Sequence, residues 1–318
     1  MTTETVVSTS AIVASSVMRH AMSRLLPVVS INPIIPIVEN MLVTVREDLL
    51  TLHVSDLHRE ARAIIPAETD VFGTDTTQFC VPFRELYRLL VTLPEQPITI
   101  RYEAGESRKL SILAVNGEYE FLSLEDPLDF PKPLDFKPTT SFTAPLSEFK
   151  ALMRLMKPFI STDDLRPAMT GIHWQCGGAL SGGPEPSHKG HELVATDGHS
   201  IVRVRPTFPT CDPFAVIVPL QLVSTLAQLP DKGDNPTIAI NKSKDRPMIN
   251  VSFGMFSYTA RCIDERFPDY PNVLTDIKPT ATFQLGRVDF ISSLKRALIF
   301  SNRITHQFKL SVASVNWC

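Results

Sequence analysis

The sequence repeats itself. The segment carrying Val81-Pro82-Phe83, Leu93-Pro94 and Ile98-Thr99-Ile100 returns as Val218-Pro219-Leu220, Leu229-Pro230 and Ile238-Ala239-Ile240. Ser55-Asp56-Leu57-His58 returns as Thr196-Asp197-Gly198-His199, and Phe130-Pro131 as Phe267-Pro268. An ordered series of anchors at nearly constant spacing implies tandem copies of one module, each with the same packing problem to solve. A third copy opens at Thr282-Phe283-Gln284, with Phe290 and Phe300, which follow Ser141-Phe142-Thr143, Phe149 and Phe159 at one common distance. The stretch from Ala281 to Cys318 is far shorter than either preceding copy, so the chain is expected to stop inside the third.

Within a copy, helical and extended periodicities alternate. Leu146, Phe149, Leu152, Met153 and Met156 form an apolar stripe at helical spacing, with Thr143 as the expected cap and Pro145 in the first turn. Phe83, Leu86, Tyr87 and Leu90 mark a second helix, closed by Pro94, and Leu222, Val223, Leu226 and Leu229 mark its repeat. Extended segments lie around them, among them Thr99 to Tyr102, Lys109 to Val115, Tyr119 to Leu122, Val194, and Phe256 to Arg261. Each module therefore reads as two helices packed on antiparallel sheets, an α+β fold. Proline-rich runs at Asp126 to Pro133 and Phe267 to Pro279 mark the joints, giving expected domains at 1–138, 139–278 and a partial one at 279–318. The Gly, Ser and Pro-rich stretch Gly177 to Gly190 reads as an enlarged hairpin loop.

Composition narrows the function by exclusion. A net charge of -3 and a pI near 6.2 mean that any basic surface must be local. No apolar run approaches the length of a membrane-spanning helix, and the N-terminus has no basic residue ahead of its mild apolar run, so a cytoplasmic protein is expected. Five scattered cysteines without Cys-x-x-Cys spacing argue against a disulfide scaffold or zinc site. Ser187-His188-Lys189-Gly190-His191 reads as a solvated polar loop, with Cys176 nearby but forming no ligand set. No Gly-x-Ser-x-Gly or His-Glu-x-x-His motif is present, and the Gly-Gly pairs lack the strand and helix context of a phosphate loop, so neither catalysis nor a cofactor is expected.

Cations recur on the helices in register with the repeat. Lys150, Arg154 and Lys157 share one helix face; Lys295 falls at the repeat position of Arg154, with Arg296 and Arg303 nearby. The first copy offers Arg19 and Arg24 on its opening helix and Arg84 and Arg88 on its second, where the second copy has uncharged Gln221 and Thr225. Arg166 joins this candidate set. Helices lining a ring would turn these charges toward the phosphates of a threaded duplex, contacts that carry no sequence information and permit sliding.

Several motifs together resemble the bacterial sliding clamp family, the beta subunit of DNA polymerase III. They are Leu193-Val194-Ala195-Thr196-Asp197-Gly198-His199, Asp264-Glu265-Arg266-Phe267-Pro268-Asp269-Tyr270-Pro271-Asn272-Val273-Leu274, Leu165-Arg166-Pro167-Ala168-Met169-Thr170-Gly171, Asn32 to Asn40, and Asn302-Arg303-Ile304-Thr305-His306-Gln307. The resemblance implies a non-catalytic processivity factor: a head-to-tail homodimer of three-domain subunits around duplex DNA, bound by polymerase and clamp loader through short peptide motifs. Carried onto this sequence, the peptide pocket comprises Met169, Thr196, Gly198, His199, Ser200, Ile201, Pro268, Asn272 and Val273. Ser200 and Asn272 depart from the basic residues often found in relatives. The pattern also fades after Val312, leaving as the alternative a shortened, non-ring product that keeps only part of the partner-peptide surface.

Overall fold

The computed structural model describes residues 7–71, 75–105, 107–177, 189–243, 246–275, 282, 284–302 and 307–311. Most of the enlarged loop, 178–188, lies outside them, as does Arg303. The chain divides into two compact units, Met1–Asp269 and Tyr270–Cys318.

The first copy and all the strands of the second lie in the first unit. The first runs β1 (Val7–Ala14), α1 (Ser15–Leu25), β2 (Asn40–Arg46), β3 (Leu49–Ser55), β4 (Arg59–Pro66), β5 (Glu68–Thr69), β6 (Thr77–Pro82), α2 (Phe83–Thr92), β7 (Pro97–Ala104), β8 (Lys109–Ala114) and β9 (Gly117–Leu122). The second runs β10 (Thr140–Thr143), α3 (Leu146–Met156), β11 (Gly171–Cys176), β12 (His191–Thr196), β13 (Ile201–Val204), β14 (Phe214–Pro219), α4 (Leu220–Leu226), β15 (Thr237–Asn241), β16 (Met248–Phe253) and β17 (Phe256–Arg261). Apart from the short β5, the order of elements is the same. The α3 stripe is buried at all five expected positions, and so are Phe83, Leu86 and Leu90 of α2. Thr143, however, does not cap α3. It ends β10 opposite Thr237, and the first helical amide, of Leu146, donates to Asn235 Oδ1 at 3.1 Å. An orphan donor at a helix start needs an acceptor, and here a residue from a distant part of the chain supplies it.

Every pairing between the described strands is antiparallel. One sheet has the order β5-β1-β7-β8-β9 and another β13-β12-β11-β14; the third, of eight strands, runs β10-β15-β16-β17-β4-β3-β2-β6. That third sheet crosses from one copy to the other through the pairing of β17 with β4, in the register Phe256↔Ala63, Tyr258↔Ala61 and Ala260↔Arg59. The edges of β4 and β17 are thus joined rather than left open, and the two copies share one sheet.

Alternation along these strands separates the two faces of the sheet. Helix α1 packs on β4, and the Tyr258 hydroxyl donates to the Arg24 carbonyl at 3.1 Å, so Tyr258, Ala260, Ala61 and Ala63 lie on the helix side. The alanines let the helix approach closely, while Met18, Ala21, Met22 and Leu25 fill the space above them. Glu60, Arg62, Ser257, Thr259 and Arg261 consequently face away from the helices. Over that outer face runs the proline-rich joint, where Phe130 packs edge-on against buried His53, with ring centroids 5.4 Å apart. The second copy reproduces the arrangement: Phe267 stacks on buried His173 at 4.9 Å. The imidazole has moved to the neighbouring strand, since His53 pairs with Leu42 and His173 with Val194. The recurrent Phe-Pro is therefore a lid residue for a buried histidine.

In the second unit, α5 spans Tyr270–Thr275 and α6 spans Arg287–Ile299, the latter where the repeat places the counterpart of α3. Val288, Ile299 and Phe300 on or beside α6 are more than two-thirds exposed. Among the described residues, no helix is long and apolar enough to cross a membrane.

Candidate nucleic-acid and partner-peptide interface

The expected cations sit on the helices but differ in how free they are. In each copy an arginine of the first helix closes the end of the second. Arg19 Nη1 donates to the carbonyls of Leu90 and Leu93 at 3.4 and 3.3 Å, and Arg154 Nε donates to Ala227 at 2.9 Å. Ala227 is the repeat counterpart of Leu90, so the same carbonyl is served twice. The last carbonyls of a helix have no internal partner and sit at its negative pole, which makes a guanidinium there favourable. Arg24 Nη1 donates to Gln228 at 2.9 Å, tying α1 of the first copy to the end of α4 in the second, and Arg84 Nη2 donates to Val29 at 3.2 Å. Each guanidinium keeps further N–H donors.

Lys150 departs from expectation. It is only 5% exposed, and its ammonium lies 2.5 Å from Asp231 Oδ1, so it is not on a free face with Arg154 and Lys157. Its stem lies among the α3 core residues, with only the ammonium tip reaching a carboxylate at the surface. The ammonium correspondingly holds the Asp231 carboxyl below its usual range. Arg88 and Lys157 are exposed, and their side chains make no hydrogen bond or ion pair among the described residues. Lys295 and Arg296 are exposed on α6, where Arg296 Nη2 donates to Ser293 Oγ at 3.0 Å.

The Thr196-Asp197-Gly198-His199 motif forms a tight turn between β12 and β13. Asp197 Oδ1 accepts the amides of His199 and Ser200 at 2.8 and 2.6 Å; Thr196 Oγ1 accepts the Gly198 amide at 3.1 Å and donates to the Ser200 carbonyl at 2.8 Å. The Ser200 amide, above all, keeps the Asp197 carboxyl below its ordinary value. Gly198 has φ +89°, a left-handed backbone that disfavours side chains. Its first-copy counterpart is built alike: Asp56 Oδ1 accepts from His58 and Arg59 at 3.0 and 2.6 Å, and Leu57 takes φ +74°. The glycine in the second copy leaves a bare surface. A Cβ at Gly198 would lie 3.2 Å from Arg166 Nη1 and 3.8 Å from Met169 Cε.

The structure thus gathers Met169 around the exposed Gly198, His199 and Ser200, with Thr196 pairing with Ile201 at the base. Arg166, grouped by sequence with the helical cations, lies beside this turn instead and is held by Asp163 Oδ2 at 2.9 Å. Pro268 is exposed near the end of the first unit, Asn272 is exposed on α5, and the side chain of Val273 lies outside the described set. Leu165, quoted in the motif but not among the pocket residues, is 91% exposed beside Arg166. Exposure was its one distinguishing property, and no pattern in the chain encodes it.

The histidine and cysteine readings change as well. His191 is not solvated: it is fully buried in β12, ringed by Phe142, Trp174, Phe208 and Phe214. Donor atoms of Cys176, His191 and Cys211 all lie within 4.8 Å of one another, a set that their sequence spacing hid. Trp174 Nε1 donates to His191 Nδ1 at 3.2 Å, and Nε2 faces the Pro209 carbonyl at 2.8 Å, so both ring nitrogens are engaged. Burial pushes the Cys211 thiol up to about 12. The imidazole serves as a hydrogen-bonded core residue.

Comparison with known proteins accords with this geometry. The family described as "DNA polymerase III beta subunit, N-terminal domain" matches residues 10–132. The beta sliding clamp of Escherichia coli K12 is 30% identical over 287 residues, covering 89% of this chain and 72% of that protein. Among solved structures, the DnaN sliding clamp of Bartonella birtlesii bound to griselimycin superposes with a TM-score of 0.77 at 23% identity, covering 93% of this chain and 76% of that one. The Helicobacter pylori beta clamp bound to a DNA ligase peptide gives 0.73 at 16% identity, over 92% and 76%. Its duplicated α+β modules and its identity to the Escherichia coli protein across most of both chains place this chain in the beta sliding clamp family, the non-catalytic clamp of DNA polymerase III.

Proposed function

We propose that this protein confers processivity by encircling duplex DNA, with modules at 1–138, 139–278 and 279–318 contributing in series to a head-to-tail homodimer. The observation that carries this reading is the continuous row of helices that runs from one copy into the other. Helix α2 packs on α1, α1 reaches the end of α4 through Arg24 and Gln228, and α4 packs on α3. Such a row offers Arg88, Lys157 and the unused donors of Arg19, Arg24, Arg84 and Arg154 to phosphate without reading bases. Lys295, Arg296 and Arg303 are carried to the same role by the repeat. Strand β9, at the edge of its sheet, is the first-copy counterpart of β17 and so the natural place for a neighbouring subunit to add a strand.

Met169, Thr196, Gly198, His199, Ser200 and Ile201, with Arg166 beside them, are the proposed receiving surface for peptide motifs of the polymerase catalytic subunit and the clamp loader. Support comes from the bare turn at Gly198 and from the Helicobacter pylori relative, which holds a DNA ligase peptide. Pro268, Asn272 and Val273 are assigned to the same surface by resemblance.

Loading onto nicked circular DNA, followed by linearisation, tests the reading. Retention on the circle and release from the linear form, with a dimer in sedimentation, is the expected result. A second reading, a subunit that binds partner peptides without closing a ring, is favoured by the exposed apolar residues of α6. It predicts a monomer that binds peptide and is not retained on circles.

A further inference from the structure

Beyond Phe130 the joint between the modules crosses the outer, helix-free face of the shared sheet as a strap. Several hydrogen bonds fix it there. The Leu134 amide donates to Glu60 Oε2 at 3.0 Å, Thr139 N and Oγ1 both donate to the Ile240 carbonyl, at 2.8 and 2.9 Å, and the Lys242 amide donates to Thr139 Oγ1 at 3.2 Å. The Cys262 amide closes the open end of the β16–β17 hairpin on Pro247 O at 2.8 Å, beside the β15–β16 turn. Between strap and hairpin lies a cleft of about 580 Å³, with Lys132, Lys137, Arg246 and Arg261 in its walls and Leu134 and Met248 among its apolar lining.

Among the described residues, four cations converge there with one lining carboxylate, Asp135. That carboxylate is 3.2 Å from Lys137, and both side chains are about 80% exposed, so the pair is weak. Lys132, Arg246 and Arg261 make no ion pair among the described residues, and Arg261 Nε is buried without a hydrogen-bond partner. The Arg261 guanidinium, which lines the cleft, carries planar donors of the geometry that a carboxylate matches. In a chain of net charge -3, this local excess of positive charge is not a property of the bulk composition. Among the described residues no aromatic ring lines the cleft, so they supply no stacking platform of the kind on which single-stranded nucleic acid binds. A half-open cleft of this size also suits a few residues of peptide better than the long convex backbone of a duplex. The apolar contribution of Leu134 and Met248 suits an apolar side chain between acidic ones.

We propose that this cleft, on the face opposite the helices, binds a short acidic peptide segment of a partner protein that carries an apolar residue among its carboxylates. The test is fluorescence anisotropy on the full chain, using a labelled octapeptide of glutamates around a central leucine. Saturable binding is expected, weakening as salt rises and falling by about tenfold or more in Arg246→Glu and in Lys132→Glu. Both residues are exposed, so unchanged thermal melts will show that the variants remain folded. Absence of saturable binding, equal binding by both variants, or equal binding of a leucine-free octaglutamate would overturn the proposal. So would an oligothymidylate that binds more tightly than the peptide and depends on the same two residues.

Discussion

Glu60→Gln tests whether the outer-face strap is held by charge. Glu60 is 4% exposed, accepts the Leu134 amide at 3.0 Å, and faces Arg62 Nη2 at 3.0 Å and His53 Nε2 at 3.3 Å. Burial, the largest influence, pushes its carboxyl up, but His53, the Leu134 amide and Arg62 together outweigh it and hold the group below its usual range. A hydrogen bond to a charged acceptor contributes about 1.5–3 kcal/mol, and roughly half that when neutral. The Arg62 side chain is 36% exposed, so its pair adds less than ~1 kcal/mol. Glutamine keeps the shape and an acceptor for the amide, so the variant should lose about 1–2 kcal/mol at pH 7, read by urea denaturation. The pH dependence follows from the depressed folded value. The unfolded carboxylate takes up its proton at higher pH than the folded one, so the stabilisation is present above the ordinary carboxylate range and lost as pH falls through the folded value. Glutamine has no such titration, and the gap between the two proteins should close in acid. Equal stability at pH 7, or a gap that persists as pH falls, would refute the reasoning.

Three further outcomes are expected. Arg88→Glu and Lys157→Glu should each shorten retention on circular DNA and reduce its salt dependence, whereas Lys150→Met should leave retention unchanged because that ammonium is already engaged by Asp231; equal losses in all three would contradict the assignment. Gly198→Ala should cost about 1–2 kcal/mol through the left-handed backbone and weaken partner-peptide affinity in anisotropy titrations, while Leu57→Gly at the equivalent turn should not destabilise the fold. His173, pushed down to about 4 chiefly by burial and partly countered by Glu192, is neutral in the fold and protonates more readily when unfolded; the wild type should therefore lose about 3 kcal/mol between pH 7 and pH 4 that a His173→Leu variant retains, as followed by denaturant midpoints across that range.

The duplication, the α+β class and the helix positions were legible in the chain because they rest on periodicity, which is a local property. The spacing of Leu146, Phe149, Leu152, Met153 and Met156 specifies a buried helix face wherever it occurs, and α3 buries all five. The Thr196-Asp197-Gly198-His199 turn was equally readable, since its acceptors and donors all belong to one short stretch of chain. Charge was not readable in the same way. Lys150, Arg154 and Lys157 share a helix face by spacing, yet Asp231 claims the first and Ala227 the second, both from distant parts of the chain. The Asn235 cap of α3, the convergence of Arg166 on Gly198 and the burial of His191 depend likewise on partners that folding alone brings near.

By itself, the sequence determined that one module occurs in tandem and which residues build each module's helices, strands and turns. Only the tertiary structure decided that β17 of one copy would join β4 of the other into a single sheet, and which cations would remain free for phosphate. The reason is physical: backbone periodicity is set by neighbours along the chain, whereas a charge's availability is set by whichever acceptor the fold places within about 3 Å of it.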